Sequence, residues 1–208
     1  MISPRGGSPI ASNKQKPLLV LASESPRRKA LLAQAGLLPD SIEPARLDET
    51  PEDGELPRLH ALRLAAAKAE TAAREWSGGA ALILAADTVV ALGRRILPKA
   101  EADDEVRACL AALSGRAHQV ITAVAVRSPD GRLRTRAVVT RVSFKRLTAE
   151  EIGEYLASRE GIGKAGGYAI QGRAECFVRR INGSYSNVVG LPLLETVSLL
   201  KACGYPIP

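Results

Sequence analysis

Asp87 has the setting most suggestive of chemistry. It follows seven consecutive apolar residues, Ala80 to Ala86, so an interior strand there would bring its carboxylate out at the strand's end, where open α/β sheets place their ligands. Burying that carboxylate unpaired is costly, so a metal ion, an Arg or a Lys must compensate it. A carboxylate held near a metal can also orient or deprotonate water. The plain alternative is an Asp cap shared with Thr88. A second cluster, Ala22-Ser23-Glu24-Ser25-Pro26-Arg27-Arg28-Lys29, sets two hydroxyls and three cations on the first turn of a helix. Free backbone amides already favour an anion at such a place, and Arg can fork to two phosphate oxygens. It is a phosphate site in outline, and a capped helix with solvated basic residues is the competing reading.

Other candidates are weaker alone. Asp48-Glu49 would add oxygen ligands for a hard divalent cation if its loop folds back toward Asp87; taken singly, the ordinary reading is a solvated loop. Lys68 and Lys99 could act as point charges for phosphates, although most lysines only face water. Gly161 to Gly172 holds five glycines in twelve residues. It lacks the Walker order, and no G-x-G-x-x-G follows the first strand, which disfavours an ATPase or a Rossmann dehydrogenase. Its glycines allow close backbone approach to a ligand, and Gln171 could read a base edge through its amide, against the view of a flexible connector. His60 and His118 are too few for a His-rich metal site and lie near no nucleophile signature, so each reads as structural or surface.

The elements that must position these residues alternate. Leu18 to Ala22 reads as a buried strand, and a helix from Ser25-Pro26 to about Gly36 follows, with Ser25 as cap and Pro26 in the first turn. An acidic stretch from Glu43 to Glu55, six carboxylates against Arg46 alone, precedes an alanine-rich helix from about Pro57 to Arg74. Ala80 to Leu92 reads as a strand turned by Gly93, and Asp103 or Asp104 opens a helix that Gly115 stops. Gln119–Val126 and Ala137–Phe144 should form a hairpin through Ser128-Pro129-Asp130-Gly131. Thr148-Ala149-Glu150-Glu151 is a capping box for a helix to about Ser158. A strand from about Ala174 to Ile181, the Asn182-Gly183 turn and a last helix from Pro192 to about Cys203 complete the pattern. The expected fold is α/β, a mixed twisted sheet flanked by helices, in two lobes with a cleft between them.

Composition sets the outer bounds. With 208 residues, 46% hydrophobic and 25% charged, the chain can bury a substantial core, which excludes wholesale disorder. Aromatics at 3% argue against a base-stacking surface for single-stranded nucleic acid. The longest apolar run falls far short of the roughly 20 residues that cross a bilayer. Residues 1–16 read as a disordered basic tail, in which Arg5, Lys14 and Lys16 supply three of the formal +7 and leave +4 on residues 17–208. Cys109, Cys176 and Cys203 are odd in number and far apart, which points to no zinc cage or disulfide framework and to a cytoplasmic location.

Taken in order, Ala22-Ser23-Glu24-Ser25-Pro26-Arg27-Arg28, Asp48-Glu49, Ala86-Asp87-Thr88-Val89-Val90, Leu113-Ser114-Gly115-Arg116, Lys164-Ala165-Gly166-Gly167-Tyr168-Ala169-Ile170-Gln171-Gly172 and Gly183-Ser184-Tyr185-Ser186-Asn187-Val188-Val189-Gly190-Leu191-Pro192 resemble the Maf family of nucleotide pyrophosphatases. The resemblance spans about Leu18 to Gly204. It implies a cytoplasmic, often dimeric enzyme that hydrolyses a nucleoside triphosphate to the monophosphate and pyrophosphate with a divalent cation, Mg²⁺ or Mn²⁺, in a house-cleaning role. The last two strings are similar to the branch acting on dTTP and UTP rather than the one acting on 7-methyl-GTP. By the same resemblance Asp87 would accept the proton from water, Arg27, Thr88 and Gln171 would govern base choice, and Ser23, Arg28, Lys68 and Lys99 would bind phosphates. Glu49 with Asp87 would hold the metal. Two positions depart from the family pattern: Ala85-Ala86-Asp87-Thr88 stands for Gly-Ala-Asp-Thr, and Pro98-Lys99-Ala100 for Gly-Lys-Pro. The other readings are a pyrophosphatase for 7-methyl-GTP or non-canonical purine nucleotides, and a non-enzymatic septum regulator or nucleic-acid binder. No membrane partner and no stable nucleic-acid complex are expected.

Overall fold

A computed structural model describes residues 16–207; the tail expected over residues 1–16 therefore lies, but for Lys16, outside the described residues. The chain runs β1 (Leu18–Leu21), α1 (Pro26–Gln34), β2 (Ser41–Ile42), α2 (Pro57–Glu75), β3 (Ala81–Leu92), β4 (Arg95–Leu97), β5 (Lys99–Ala100), α3 (Asp103–Leu113), β6 (Ala117–Arg127) and β7 (Leu133–Phe144). It continues through α4 (Ala149–Ser158), β8 (Lys164–Ala165), a 3₁₀ turn (Arg173–Phe177), β9 (Val178–Asn182), α5 (Tyr185–Val189) and α6 (Leu193–Ala202). Seven strands form a mixed sheet in the order β2-β1-β3-β6-β7-β9, with β4 also paired to β3. β1 runs parallel to β2 and β3, and the remaining pairs are antiparallel. β5 and β8 form a separate two-stranded ribbon beside α3.

Apart from Asp87 and Thr88, β3 is apolar because both faces of the sheet are covered. Side chains alternate across a strand. Ile83, Ala85 and Val89 pack with Ala61, Ala65, Ala69 and Ala72 of α2, whose small side chains let the helix lie close. Leu82, Leu84, Ala86 and Val90 belong to the larger core on the opposite face, with Leu110, Phe144 and Leu200. Truncating a fully buried Leu84 to Ala would cost about 2–5 kcal/mol by lost transfer energy and cavity formation.

The same alternation sets the site. Asp87 lies on the α2 side of β3, and Thr88 on the other. β1 stays paired with β3 only as far as Leu21 opposite Leu84, and β4 joins it only from Val90. Between those points the β3 edge lacks a strand neighbour, and a cleft opens. This corrects the expected position of Asp87: its strand continues five residues beyond it, paired with β6, and the carboxylate emerges at a gap in the edge instead of a strand end.

Several local expectations match. Thr148 and Glu151 form the capping box, with Thr148 Oγ1 accepting from Glu151 N and Glu151 Oε2 from Thr148 N. The long hairpin turns through Ser128–Gly131. Two differ. Ser25 occupies the N-cap position of α1 without a side-chain cap bond, and Ser23 Oγ accepts from Ser25 N instead, at 3.3 Å. The strand expected from Ala174 begins only at Val178. Arg173 N is tied to Glu160 Oε2 at 2.7 Å, and a 3₁₀ turn, three residues per turn, buries Ala174 and Phe177 together. The sequence pattern does not predict α5, which Ser184 caps by accepting from Asn187 N.

Candidate active site

The gap in the β3 edge opens into a cavity of about 990 Å³. Its walls are the β1–α1 turn, the loop from Pro44 to Pro51, α2, the β5–β8 ribbon and the glycine-rich loop that ends near Gln171. On α2, His60, Leu64 and Lys68 are spaced four apart and all face the cavity, as one side of a helix must.

At the centre Lys68 Nζ donates to Asp87 Oδ1 at 2.6 Å and lies 2.6 Å from Glu49 Oε1. Lys68 and Asp87 are both buried. The compensating charge demanded for Asp87 is thus a lysine, and the acidic loop does fold back to bring Glu49 beside it. Partial burial disfavours the Glu49 carboxylate, but the Lys68 hydrogen bond and charge, with Lys99 and Arg28, hold its pKa below the ordinary value. Lys68 is bound to these carboxylates, where a phosphate ligand had been expected.

Thr88, on the opposite face, meets Arg28. Arg28 Nε donates to Gly190 O at 2.9 Å, Nη1 to Ser23 Oγ at 2.9 Å and Nη2 to Thr88 Oγ1 at 3.3 Å. Thr88 Oγ1 also lies 3.0 Å from Thr122 Oγ1. Three of the five guanidinium donors are used, one tying α1 to β3, one to the residue after α5 and one to Ser23 in the β1–α1 turn, and two remain for a ligand. Burial lowers the Arg28 pKa, with Asp87 opposing and Arg27 adding to that shift. Gly190 is required here: its φ is +125°, and a Cβ would stand 3.4 Å from Thr88 Oγ1.

Arg27, Lys99 and Gln171 also line the cavity. Burial lowers the Arg27 pKa. Lys99 is exposed, 3.5 Å from Glu101, and Gln171 is exposed at the rim. All of the expected residues therefore border one cavity, with Ser23 and Arg28 together at one end and Asp87, Glu49 and Lys68 in contact.

Further residues line or flank the site. Lys164, on β8, has its pKa lowered by burial and by the nearby charges of Arg27 and Lys99, which marks a third cation at that corner. In the sequence it is marked only by its place in the Lys164–Gly172 string. Asn187 is fully buried; its amide joins β6 to β7 by donating to Val120 O and Thr140 Oγ1 and accepting from Thr122 N. Glu55, His60 and Arg63 form a buried-to-surface clasp at the start of α2. Leu113-Ser114-Gly115-Arg116 lies away from the cavity, and its Ser114 Oγ accepts from Leu147 N as a structural corner.

Residues 18–203 match the family model described as Maf-like protein. The chain belongs to the Maf family. A dTTP/UTP pyrophosphatase of Rhodopseudomonas palustris (strain HaA2) is 59% identical over 196 residues, covering 92% of this chain and 95% of that one. A dTTP/UTP pyrophosphatase of Rhodospirillum rubrum is 62% identical over 187 residues, covering 90% and 88%. A solved HAM1 protein from Coxiella burnetii is 18% identical with a TM-score of 0.49, covering 89% of this chain and 98% of that chain. In this Maf chain five of the six motif strings border one cavity, and Leu113-Ser114-Gly115-Arg116 lies away from it.

The donor set suits a hard divalent cation. Glu49 and Asp87 converge on one point and supply two carboxylate oxygens, the number a magnesium-type ion takes when substrate phosphates and water complete its shell. Among the described residues no group of three or more His, Cys, Asp or Glu is assembled to hold an ion without such help.

Proposed function

We propose that this Maf protein hydrolyses nucleoside triphosphates, dTTP and UTP foremost, to the nucleoside monophosphate and pyrophosphate, clearing the nucleotide pool. The observation that carries this reading is Asp87: a buried carboxylate at a gap in the sheet edge, 2.6 Å from an ammonium, opening onto a cavity lined by cations. The substrate preference rests on the names of the two close relatives.

Cleavage between the α- and β-phosphates needs in-line water, a proton acceptor and neutralisation of the leaving pyrophosphate. Asp87 accepts the water proton. β6 pairs with its backbone on one side, and its side chain is buried. Lys99 and the two free donors of Arg28 meet the phosphate oxygens, with Ser23 adding a hydroxyl. Lys164 adds a further cation to the same corner. Gln171, Thr88 and Arg27 are the proposed determinants of base choice. Glu49 and Asp87 would hold Mg²⁺ or Mn²⁺, which when bound would neutralise phosphate charge.

The reading extends to setting. Three free cysteines fit a reducing cytoplasm, and no helix among the described residues is long and apolar enough to cross a membrane. A homodimer is carried over from the family resemblance. The test is pyrophosphate release from a nucleotide panel with Mg²⁺ and with Mn²⁺, for the native chain and Asp87→Asn. Turnover of dTTP and UTP that is lost in a folded Asp87→Asn, with nucleotide binding retained, is expected. Preference for 7-methyl-GTP would redirect the substrate assignment, and native rates in Asp87→Asn would remove the role of that residue.

A further inference from the structure

Lys68 is one charge serving two. Its ammonium contacts Glu49 Oε1 and Asp87 Oδ1 at 2.6 Å each, with a side chain only 10% exposed. The carboxylates come from the loop before α2 and from β3, and this ammonium contacts both. A divalent ion using the same two oxygens would have to stand about 2.0–2.6 Å from each, where the ammonium nitrogen now lies. The ion and the ammonium cannot share that point. Adding the ion while Lys68 stays would press like charges together in a partly desolvated place, and expelling Lys68 into a cavity lined by other cations would leave it unpaired.

We infer that Lys68 is the resident counter-cation of the carboxylate pair and excludes free divalent ions, so that the metal enters only together with a triphosphate whose oxygens receive the displaced ammonium. This rests on the nucleotide reading of the cleft and adds an order of binding to it. The ammonium has three N–H donors, two of them committed to the carboxylates, and its flexible stem can swing to phosphate oxygens without breaking backbone structure. In the metal-free enzyme Asp87 stays paired with Lys68, and Lys68 serves phosphate only after the ion has replaced it.

Direct Mn²⁺ binding without nucleotide, read by electron paramagnetic resonance of the free ion, tests this. Lys68→Met keeps the length and apolar stem of the side chain. It should bind Mn²⁺ at least about tenfold more tightly than the native chain, since the like charge is gone and both acids remain. Lys68→Met combined with Glu49→Gln should lose that gain. Equal or weaker Mn²⁺ binding by Lys68→Met overturns the inference. Should Lys68→Met fail to fold by circular dichroism, the native chain decides. Its Mn²⁺ affinity should rise at least about tenfold, a difference of about 1.4 kcal/mol, when α,β-methylene-dTTP is added, and unchanged affinity overturns the inference. Pyrophosphate release by the native chain is measured alongside. Release without the Mn²⁺ effect sinks the role of Lys68 alone, whereas no release from any nucleotide sinks the functional reading.

Discussion

The two loops that wall the cleft are fastened by opposite kinds of chemistry. On one side the acidic loop, residues 43–55, is held by an ionic clasp. Glu55 accepts from Arg63 Nε and Nη2, both at 2.7 Å, and pairs with His60 Nδ1 at 2.8 Å, while Arg63 Nη2 also donates to Thr50 O beside Glu49. On the other side the glycine-rich loop is held by phenols. The Tyr168 hydroxyl shares a hydrogen bond with His118 Nε2 at 2.8 Å, and Ala169 N donates to Tyr155 Oη at 3.0 Å. His118 stands edge-on to Phe144 and Tyr168. A clasp of ions is weakened by salt and tolerates acid until its carboxylate is protonated; a clasp of buried rings is indifferent to salt and fails when its histidine is charged.

The largest separation of the two should come with acid. Burial lowers the His118 pKa to about 4, and its Nδ1 has no partner among the described residues. The folded state therefore prefers the neutral ring. Its contribution is complete above the unfolded value of 6.5 and is lost progressively as the pH falls to about 4, where the unfolded chain binds the extra proton. Over that window the native chain should lose about 3 kcal/mol of stability from this group. Urea midpoints for the native chain and His118→Gln at pH 7 and pH 4 check it. The pH dependence should be flatter in His118→Gln, and parallel losses in both proteins would remove His118 as the cause.

The ionic side should respond differently. The Glu55 pKa is lowered to about 2, first by the Arg63 hydrogen bond against the cost of burial, then by Glu52 N and His60. A lowered carboxylate stabilises above its unfolded value of 4.5 and gives that up only as the pH falls through about 2. The acidic loop should thus stay fastened at pH 4, where the aromatic clasp has loosened. Glu55→Gln should free it at neutral pH: tryptic cleavage after the exposed Arg46 is expected to accelerate about tenfold, the effect of about 1.4 kcal/mol from a charge-assisted bond. Arg63→Lys, which loses the fork but keeps the charge, should fall between, and salt should move the native chain the same way. Unchanged cleavage in Glu55→Gln would mean that Glu49 is placed by Lys68 alone.

What was legible in the sequence was local. The seven apolar residues before Asp87, Pro26 in a first turn and Thr148 with Glu151 each act within a few residues of themselves, and each appears as read. The residues of the site came through the resemblance to a family more than through spacing, and the structure brings them to one cavity. Their partners were not legible, because they are set by packing between distant segments. Lys68 meets Asp87 through the approach of α2 to β3, Arg28 reaches Gly190 across 162 positions, and Tyr168 finds His118 across 50. The 3₁₀ turn at Arg173–Phe177 is not legible for the same reason, since Glu160 holds its first amide from another part of the chain. The acidic stretch read as a solvated loop because nothing in its composition shows that Glu55 turns inward to Arg63.

The smallest expected effect is the one that distinguishes holding the glycine-rich loop from reading the base with it. Burial pushes the Tyr155 pKa up to about 12, against the Ala169 N–H that donates to it, so the phenol stays neutral at working pH. Tyr155→Phe deletes one neutral hydrogen bond and leaves the Ala169 amide without its partner, a cost of about 1 kcal/mol. Gln171 lies two residues beyond that amide. If the phenol matters by placing Gln171, selectivity for dTTP and UTP over purine triphosphates in kcat/KM should fall about threefold while kcat for dTTP stays within about twofold, because a loosened loop loses orientation before it loses chemistry. Gln171→Ala should blur selectivity further, and adding Tyr155→Phe to it should change little, since two residues acting through one contact are not additive. An equal drop in kcat for every nucleotide would instead make this loop a general wall of the cleft, leaving base choice to Arg27 and Thr88 on the opposite side.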